Sequence, residues 1–260
     1  MTFRIYIPQD SSAISVGADA VADRLAERLA ANLSKKEVEL VRNGSRGLFW
    51  LEPMVEVETN AGRVAYGPVC LDDVDGLIEN GLLEGKQDHP LSLGLTEDIP
   101  YLKNQQRLTF KRVGLIDPLS IKDYQAYDGF KGLKRAITMS RQACVNEVKE
   151  SGLRGRGGAA FPTGIKWQTV LDAGAAEDQK YITCNADEGD SGTFADRLQM
   201  EADPFALIEG MTIAGIAVGA DMGYIYLREE YPHAHVILEQ AIAIASSSNF
   251  LGQDILGSGK

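Results

Sequence analysis

Helix-like and strand-like patterns alternate through the last part of the chain, and this alternation limits the fold more than any other feature. The spacing of apolar residues predicts a helix over 133–149, and a short apolar run at 181–184 predicts a buried strand. A helix over 203–218 follows, opened by an aspartate–proline pair of the kind that caps a helix and fills its first turn. Residues 223–228 then predict a strand, and 231–245 predict a helix. This order is typical of an α/β domain with a largely parallel sheet.

The first 85 residues predict a second, smaller α/β domain. Strands are predicted at 3–7, 37–41, 54–58 and 64–69, and helices at 18–33 and 72–83. The order β-α-β followed by β-β-α resembles a thioredoxin-like domain. Pro53 stands just before the third strand, where such domains carry a proline that is often cis. The pattern alone is equally compatible with another small α/β domain.

The loop at 44–53 resembles the cluster-binding loop of thioredoxin-like [2Fe–2S] ferredoxins. The two cysteines of that loop would fall on Ser45 and Phe49, and the segment contains no Cys-x-x-Cys pair. The resemblance therefore implies a degenerate thioredoxin-like domain over 1–85 that has lost its cluster and serves in docking or scaffolding.

Charge and cysteine content exclude several classes of protein. The chain has 260 residues, with 26 Lys and Arg against 37 Asp and Glu, a formal net charge of −11. Such a chain repels nucleic acids and acidic membranes, so no nucleic-acid partner is expected. Cys70, Cys144 and Cys184 lie too far apart in sequence to form a disulfide framework, and a reducing cytoplasm is expected. The apolar stretch 211–218 is too short to span a membrane.

The stretch 151–167 has the most unusual composition in the chain, with five glycines in the 13 residues 152–164. A backbone this rich in glycine can turn sharply and expose its N–H groups, and such amides bind phosphate. Arg154, Arg156 and Lys166 add positive charge within an otherwise acidic chain. These features together predict a ligand that bears phosphate.

Three known motifs compete for the same stretch. Gly155-x-Gly157-x-x-Ala160 matches the loose dinucleotide fingerprint, but the residues before it predict a helix rather than the required strand. The phosphate-binding P-loop does not fit, because Trp167 stands where a serine or threonine should follow Lys166. An Arg-Gly-Gly element occurs in RNA-binding tails, which are long and basic. A glycine-rich turn with solvated arginines is the structural alternative.

A polar segment follows the strand predicted at 181–184. Asn185, Asp187, Glu188 and Asp190 offer one amide and three carboxylates at the end of that strand, where ligands gather in α/β sheets. Amide and carboxylate groups suit a heterocycle and a sugar chain. They could also bind Mg²⁺ or Ca²⁺, or belong to an acidic surface loop.

Taken together, these segments resemble the NADH-binding flavoprotein subunit of respiratory complex I and of soluble NAD-linked hydrogenases and formate dehydrogenases. The resemblance covers about 108–260 and includes Gly-Leu-Ile-Asp-Pro at 114–118 and Gly-Tyr-Ile-Tyr-Leu-Arg at 223–228. It implies a connector over 86–134 and the N-terminal part of an α/β FMN-binding domain over 135–260. Two features are most similar to the beta subunit of soluble formate dehydrogenase: the Gly-Asp-Ser sequence at 189–191 and the thioredoxin-like domain over 1–85 without a cluster.

The resemblance also implies a cofactor site for FMN and NAD(H), with no metal ligands and no general base. Phe161 would stack on the nicotinamide dinucleotide, and Asp190 stands where complex I subunits carry a glutamate. Lys166 would lie near the flavin and its phosphate. The residues that would wrap the flavin are Gly155, Arg156, Gly157 and Gly158, and those that would face its ring and ribityl chain are Asn185, Asp187 and Glu188.

The function implied is electron transfer. FMN would exchange a hydride with NAD(H) and single electrons with iron–sulfur clusters on neighbouring subunits, next to a molybdenum or tungsten formate dehydrogenase subunit or a hydrogenase subunit. The family continues with a Gly-Glu-Glu segment and a cysteine-rich [4Fe–4S] domain, which this sequence does not contain, so the cluster is expected not to be ligated here. A non-catalytic assembly module is the alternative.

Overall fold

The computed structural model describes residues 3–32, 38–174 and 179–260, and it divides the chain into two units. The first unit comprises Met1–Ser120 with Glu201–Asp203, and the second comprises Ile121–Met200 with Pro204–Lys260. The predicted end of the first long helix at residue 33 and the predicted start of the next strand at residue 37 lie outside the described residues.

A five-stranded sheet forms the centre of the first unit. Its elements are β1 (Phe3–Pro8), α1 (Ser11–Ser15), α2 (Ala18–Asn32), β2 (Val38–Asn43), β3 (Val55–Thr59), β4 (Gly62–Tyr66), α3 (Asp73–Glu79), β5 (Ser92–Leu95) and α4 (Pro100–Lys103). The strand order is β2-β1-β3-β4-β5, with β1 parallel to β2 and the other neighbours antiparallel. The first four strands have the order and directions of a thioredoxin-like fold, which confirms that prediction. The peptide bond before Pro53 is cis.

Apolar side chains from β1 and α2 build the main core of the first unit. Ile5 and Ile7 alternate along β1 toward the helices, and both are fully buried. Val21, Leu25 and Leu29 lie four residues apart on α2 and pack against them. The spacing by four produced the helix prediction and also sets which face of α2 is buried.

Apolar and charged side chains together hold the segment after β5 against the first unit. Ile99 and Leu102 are buried and pack with Met54 and Ala65.

Two arginines add polar contacts to the same segment. The Arg46 guanidinium donates to the Glu97 carboxylate at 3.0 Å and is buried against Glu56 of β3. Arg63 donates to the carbonyl oxygens of Gly114 and Leu115 at 3.1 and 2.7 Å. These polar contacts add no apolar periodicity to 86–134.

The structure divides the predicted connector 86–134 between the two units. Its first part contains β5, which pairs with β4 and completes the sheet. Its last part contains two short helices of the second unit. The connector boundaries therefore differ from the division at Ser120 and Ile121.

Buried polar side chains hold the backbone of the loop at 44–53 in place. Ser45 is fully buried, and its hydroxyl donates to a Glu52 carboxylate oxygen at 2.6 Å. The backbone N–H of Met54 donates to the other Glu52 oxygen at 2.8 Å, and the N–H of Ser45 donates to Asp10 at 3.1 Å. Burial raises the pKa of Glu52 to about 7. A hydrogen-bonded carboxyl group thus lies next to the position predicted for a lost cysteine.

Within the described residues, the second unit packs seven helices and two strands, with one helix at its centre. Its elements are α5 (Ile121–Ala126), α6 (Lys131–Ala136), α7 (Arg141–Glu150), α8 (Thr163–Asp172), β6 (Tyr181–Ala186), α9 (Ala195–Ala202), α10 (Pro204–Val218), β7 (Met222–Leu227) and α11 (Pro232–Ser247). Strands β6 and β7 are parallel, and α10 contacts both of them as well as α6, α7, α8 and α11. The predicted parallel arrangement is confirmed. No helix of the described residues is long and apolar enough to cross a bilayer.

Two secondary-structure predictions in the second unit are wrong in detail. A single helix over 133–149 is instead α6 and α7, because the Ser140 hydroxyl accepts from the N–H of Ala143 and starts a new helix. The strand at Tyr181 is not fully buried: alternate residues of β6 face outward, and Tyr181 is 53% exposed.

Candidate functional site

The glycine-rich stretch forms a closed loop between α7 and α8. The N–H of Gly155 donates to the Phe161 carbonyl at 2.8 Å, and the N–H of Thr163 donates to the Leu153 carbonyl at 2.9 Å. Within the tip, the N–H of Ala160 donates to the Gly157 carbonyl at 3.0 Å. The base of the loop is therefore held like a short hairpin, and 156–160 form its exposed end.

The tip of this loop presents backbone donors to solvent. Among the hydrogen bonds of the described residues, none uses the N–H of Arg156, Gly157, Gly158 or Ala159 as its donor. All four residues are exposed. Successive free N–H groups in a tight loop form a concave, partly positive surface that suits an anion.

Glycine at 157 and 158 is not required by the chain's own packing. A Cβ atom added at either position would meet nothing within 4 Å, and neither residue has a left-handed φ in the described structure. Gly164 is different, because a Cβ atom there would lie 2.6 Å from the backbone nitrogen of Lys149. The absence of side chains at 157 and 158 thus leaves open space beside the free amides, as a ligand that approaches the backbone would need.

Two cationic side chains belong to the loop and to the helix that follows it. Arg156 lies in its tip, and Lys166 lies in the first turn of α8. In the parts of the chain that the structure describes, neither side chain takes part in a hydrogen bond or ion pair. Arg154 is used locally, since its guanidinium donates to the Ala160 carbonyl at 3.3 Å. The N-terminus of α8 adds the positive end of a helix dipole, and Phe161 beside it is 46% exposed.

An apolar cleft of about 300 Å³ lies at the base of the loop. Its lining residues are Val148, Lys149, Gly152, Leu153, Pro162, Gly164 and Ile165. None of the residues predicted for the cofactor lines this cleft. The candidate site is therefore the exposed polar tip rather than the cleft.

The acidic segment begins where β6 ends. Asn185 lies on the outward face of β6, opposite Tyr226 of β7, which is 67% exposed. The Asn185 side-chain oxygen accepts from the N–H of Asp187 at 3.2 Å. The side chains of Asp187 and Asp190 are exposed, and within the described residues no hydrogen bond or ion pair engages them. Asn185, Asp187 and Asp190 are thus accessible to a ligand.

Glu188 is engaged differently from its neighbours. Its carboxylate accepts from the N–H groups of Asp196 and Arg197 at 2.7 and 3.0 Å. Both N–H groups lie in the first turn of α9. The hydroxyl of Tyr231 donates to the same carboxylate at 3.0 Å. We predicted that Glu188 faces the flavin; in the structure its two oxygens serve the chain itself as a helix cap.

Two residues that hold this segment were not singled out from the sequence. Arg228 follows β7 and donates to the Glu188 carbonyl oxygen at 2.7 Å, and Tyr231 precedes α11. Burial and the hydrogen bond to Glu188 raise the pKa of Tyr231, so its hydroxyl stays a donor. A signal was present in the sequence, because residues that follow neighbouring parallel strands meet at one edge of the sheet.

One hydrogen-bonded contact joins the helix that follows the glycine-rich loop to the strand that precedes the acidic segment. The Lys180 ammonium, just before β6, donates to the Val170 and Leu171 carbonyls at the end of α8, at 2.7 and 3.2 Å. The end of α8 therefore lies beside the start of β6. No hydrogen bond or ion pair among the described residues joins 151–166 to 185–190.

Metal ligands are not gathered at either loop. Across 3–32, 38–174 and 179–260 there is no group of three or more His, Cys, Asp or Glu residues that could hold a metal ion. Cys70, Cys144 and Cys184 are free thiols.

Comparison with known families identifies the segment that carries both loops. Residues 148–255 match the Nuo51 FMN-binding domain of the Complex1_51K family. This region of the chain is similar to that FMN-binding domain. The match includes the glycine-rich loop, the acidic segment and the residues that follow β7. The match agrees with the FMN-binding domain that the sequence resemblance implied for this part of the chain.

Two curated proteins and one solved structure are similar to parts of this chain. The chain is 50% identical over 157 residues to the NADP-reducing hydrogenase protein HndC of Solidesulfovibrio fructosivorans, covering 60% of this chain and 31% of that protein. It is 44% identical over 143 residues to an NADH-quinone oxidoreductase subunit of Escherichia coli, covering 55% and 32%. A solved NAD⁺-reducing [NiFe]-hydrogenase in the H2-reduced state is 25% identical, covering 97% and 41%, with a TM-score of 0.45. The chain spans about a third of the length of the curated relatives it matches.

Proposed function

We propose that the glycine-rich loop and the acidic segment form one FMN site, and that the chain is an electron-transfer flavoprotein subunit. The observation that carries the proposal is the tip of the loop, where free amides lie beside two glycines whose missing side chains serve no packing within the chain. Bound FMN supplies hydride exchange with NAD(H) and single-electron transfer to iron–sulfur clusters on neighbouring subunits.

The residues of the loop fit a flavin phosphate. The N–H groups of Gly157 and Gly158 donate, the Arg156 guanidinium and Lys166 ammonium neutralise charge, and the start of α8 adds its dipole. The two amides and the two cationic side chains have no competing partner among the described residues. Gly155 closes the loop through its bond to Phe161.

The acidic segment supplies groups for the rest of the cofactor. The carboxylates of Asp187 and Asp190 can accept from the hydroxyl groups of a ribityl chain or the N–H groups of a heterocycle, and the Asn185 amide can both accept from and donate to such groups. The exposed ring of Phe161 offers a face on which a nicotinamide dinucleotide stacks. A single ligand that engages both segments would account for the free polar groups of each.

Helix and strand directions support a shared site. The end of α8 lies beside the start of β6. We infer from this contact that α8 runs antiparallel to β6, as helices usually do in α/β units, so that Lys166 lies toward Asn185.

The larger complex is proposed more specifically as a formate dehydrogenase. The Gly189-Asp190-Ser191 segment and a thioredoxin-like unit with Ser45 and Phe49 at the cysteine positions support this assignment. A molybdenum or tungsten subunit would then exchange electrons with this one in a reducing cytoplasm. The similarity to HndC favours an NAD-linked hydrogenase as the second candidate. Native mass spectrometry of the assembled complex distinguishes the two by the catalytic subunit that it contains.

Flavin binding by the purified chain tests the proposed function directly. We expect the chain to take up FMN, with the visible absorption of a bound flavin, and to support NADH-dependent reduction of an artificial dye. Binding is measured by quenching of flavin fluorescence, and riboflavin without phosphate serves as the matched ligand. Failure of the chain to bind FMN at any concentration tested would support the assembly-module alternative.

Replacing Lys166 by alanine is expected to weaken FMN binding by about 1–3 kcal/mol, the range for a lost charge-assisted hydrogen bond. Riboflavin binding should change much less, because the interaction assigned to Lys166 is with the phosphate. Lys122→Ala on α5 makes the same change of charge at another position and should leave FMN binding unaltered. Equal losses for FMN and riboflavin would remove the assigned role.

A further inference from the structure

One residue of the acidic segment is held in an unfavourable backbone conformation. Glu188 has a φ of 43°, in the left-handed region that side chains other than those of asparagine and aspartate seldom adopt. Such a conformation persists only where surrounding contacts stabilise it. The groups that hold Glu188 matter to the site, because the directions of Asp187 and Asp190 depend on the backbone between them.

Contacts from two further elements converge on Glu188. The Arg228 guanidinium donates to its carbonyl oxygen at 2.7 Å, and the Tyr231 hydroxyl donates to its carboxylate at 3.0 Å. The backbone and the side chain of Glu188 are therefore both bonded from the carboxyl end of β7 and the start of α11.

The donors are themselves fixed in place. Arg228 donates to both carboxylate oxygens of Glu230, at 3.2 and 3.0 Å, and its guanidinium carbon lies 5.1 Å from the centre of the Tyr231 ring. The Tyr231 residue is 9% exposed. A bidentate ion pair and a buried ring restrict the two donors to one orientation.

We propose that Arg228 and Tyr231 are positioning residues of the flavin site. They keep Glu188 in its left-handed conformation, and this conformation directs the flanking Asp187 and Asp190 toward the ligand. The inference rests on the proposed function, since it assigns the purpose of the network to the flavin. Neither residue needs to touch FMN, because both act through Glu188.

Tyr231→Phe removes one hydroxyl and keeps the buried ring, so it tests the role with little effect on packing. We expect FMN affinity to fall about 5–20-fold, in line with a lost hydrogen bond to a charged group. With saturating FMN, the visible circular dichroism of the bound flavin should change. The amides of Asp196 and Arg197, which donate to Glu188, should exchange with solvent faster in the variant without flavin.

A coupling experiment separates positioning through Glu188 from a general effect. The variant E188A/Y231F should bind FMN no more weakly than E188A alone, because the carboxylate that Tyr231 bonds is gone and its other contact, with the Thr193 carbonyl, is long at 3.5 Å. Tyr181→Phe makes the same chemical change at the opposite end of β6 and should bind FMN like the natural chain.

Each outcome bears on one proposal. Faster exchange with unchanged FMN affinity and an unchanged flavin spectrum would overturn the positioning role and leave the flavin site standing. Additive losses in the double variant would also overturn it. A natural chain that binds no FMN would instead overturn the proposed function, and the positioning role with it.

Discussion

A valine in place of Gly157 is expected to lower the FMN affinity of the chain by about 100-fold, or roughly 2.7 kcal/mol. The branched side chain would fill the open space beside the free amides of the loop tip. A phosphate could then no longer approach, and the loss of one or two charge-assisted hydrogen bonds accounts for the magnitude. Fluorescence titration with FMN measures the effect, and Gly158→Val should behave in the same way.

Folding should be almost unaffected by the same valine, which is what makes the result informative. Because a Cβ atom at Gly157 meets nothing within 4 Å, the free energy of unfolding should change by no more than about 0.5 kcal/mol. Gly164→Ala is the matched contrast. Its Cβ atom would lie 2.6 Å from the Lys149 nitrogen, and overpacking of this kind costs about 1–3 kcal/mol. If Gly157→Val destabilised the chain as much as Gly164→Ala and kept its FMN affinity, the glycines would have a structural role only.

The fold was predictable wherever local pattern and burial agree. Leu25 and Leu29 of α2 lie on one helical face, and that face is the buried one. The order of strands in the first unit followed from the order of these patterns along the chain. The split between α6 and α7 was missed because the hydroxyl of Ser140 starts a helix inside an apolar repeat that continues across it.

The segment after β5 could not be placed from the sequence. Its position depends in part on Arg46 and Arg63, which come well before it in the chain and donate to the Glu97 carboxylate and to the carbonyl oxygens of Gly114 and Leu115. Contacts of this kind leave no apolar periodicity in the sequence. Burial of Arg46 is possible because Glu56 neutralises it.

The sequence was enough to predict the two segments of the candidate site. It was not enough to predict which of their side chains are held by the chain itself. Glycine density pointed to the loop tip, and the position after a strand pointed to Asn185 and Asp187. Nothing in the residue type of Glu188 distinguishes a carboxylate that meets a ligand from one that caps α9. That distinction depends on the left-handed backbone at Glu188 and on donors about 40 residues later in the chain.

The Glu52 carboxyl group is expected to make the chain less stable as the pH rises from about 4.5 to about 7. Burial raises the pKa of Glu52 from its ordinary 4.5 to about 7, so the folded state binds a proton that the unfolded state has released. Folding is therefore favoured at the acidic end of this window and loses about 2–3 kcal/mol by its upper end. Above about pH 8 the carboxyl is ionised in both states, and this contribution no longer changes. Urea unfolding at pH 5 and pH 8 measures the difference.

Glu52→Gln should remove this pH dependence and leave the chain more stable at pH 8 than the natural sequence. The glutamine oxygen can accept from the Met54 N–H and its amide can donate to the Ser45 hydroxyl oxygen, as a protonated Glu52 would. Glu79→Gln removes an exposed charge at the end of α3 and should keep the natural slope. Glu56 does not obscure the result, because the paired Arg46 and Arg63 hold its pKa below the ordinary value, and its contribution is lost only as the pH falls below about 4.5. An unchanged slope in Glu52→Gln would show that the buried carboxyl group of the loop at 44–53 does not control this pH dependence.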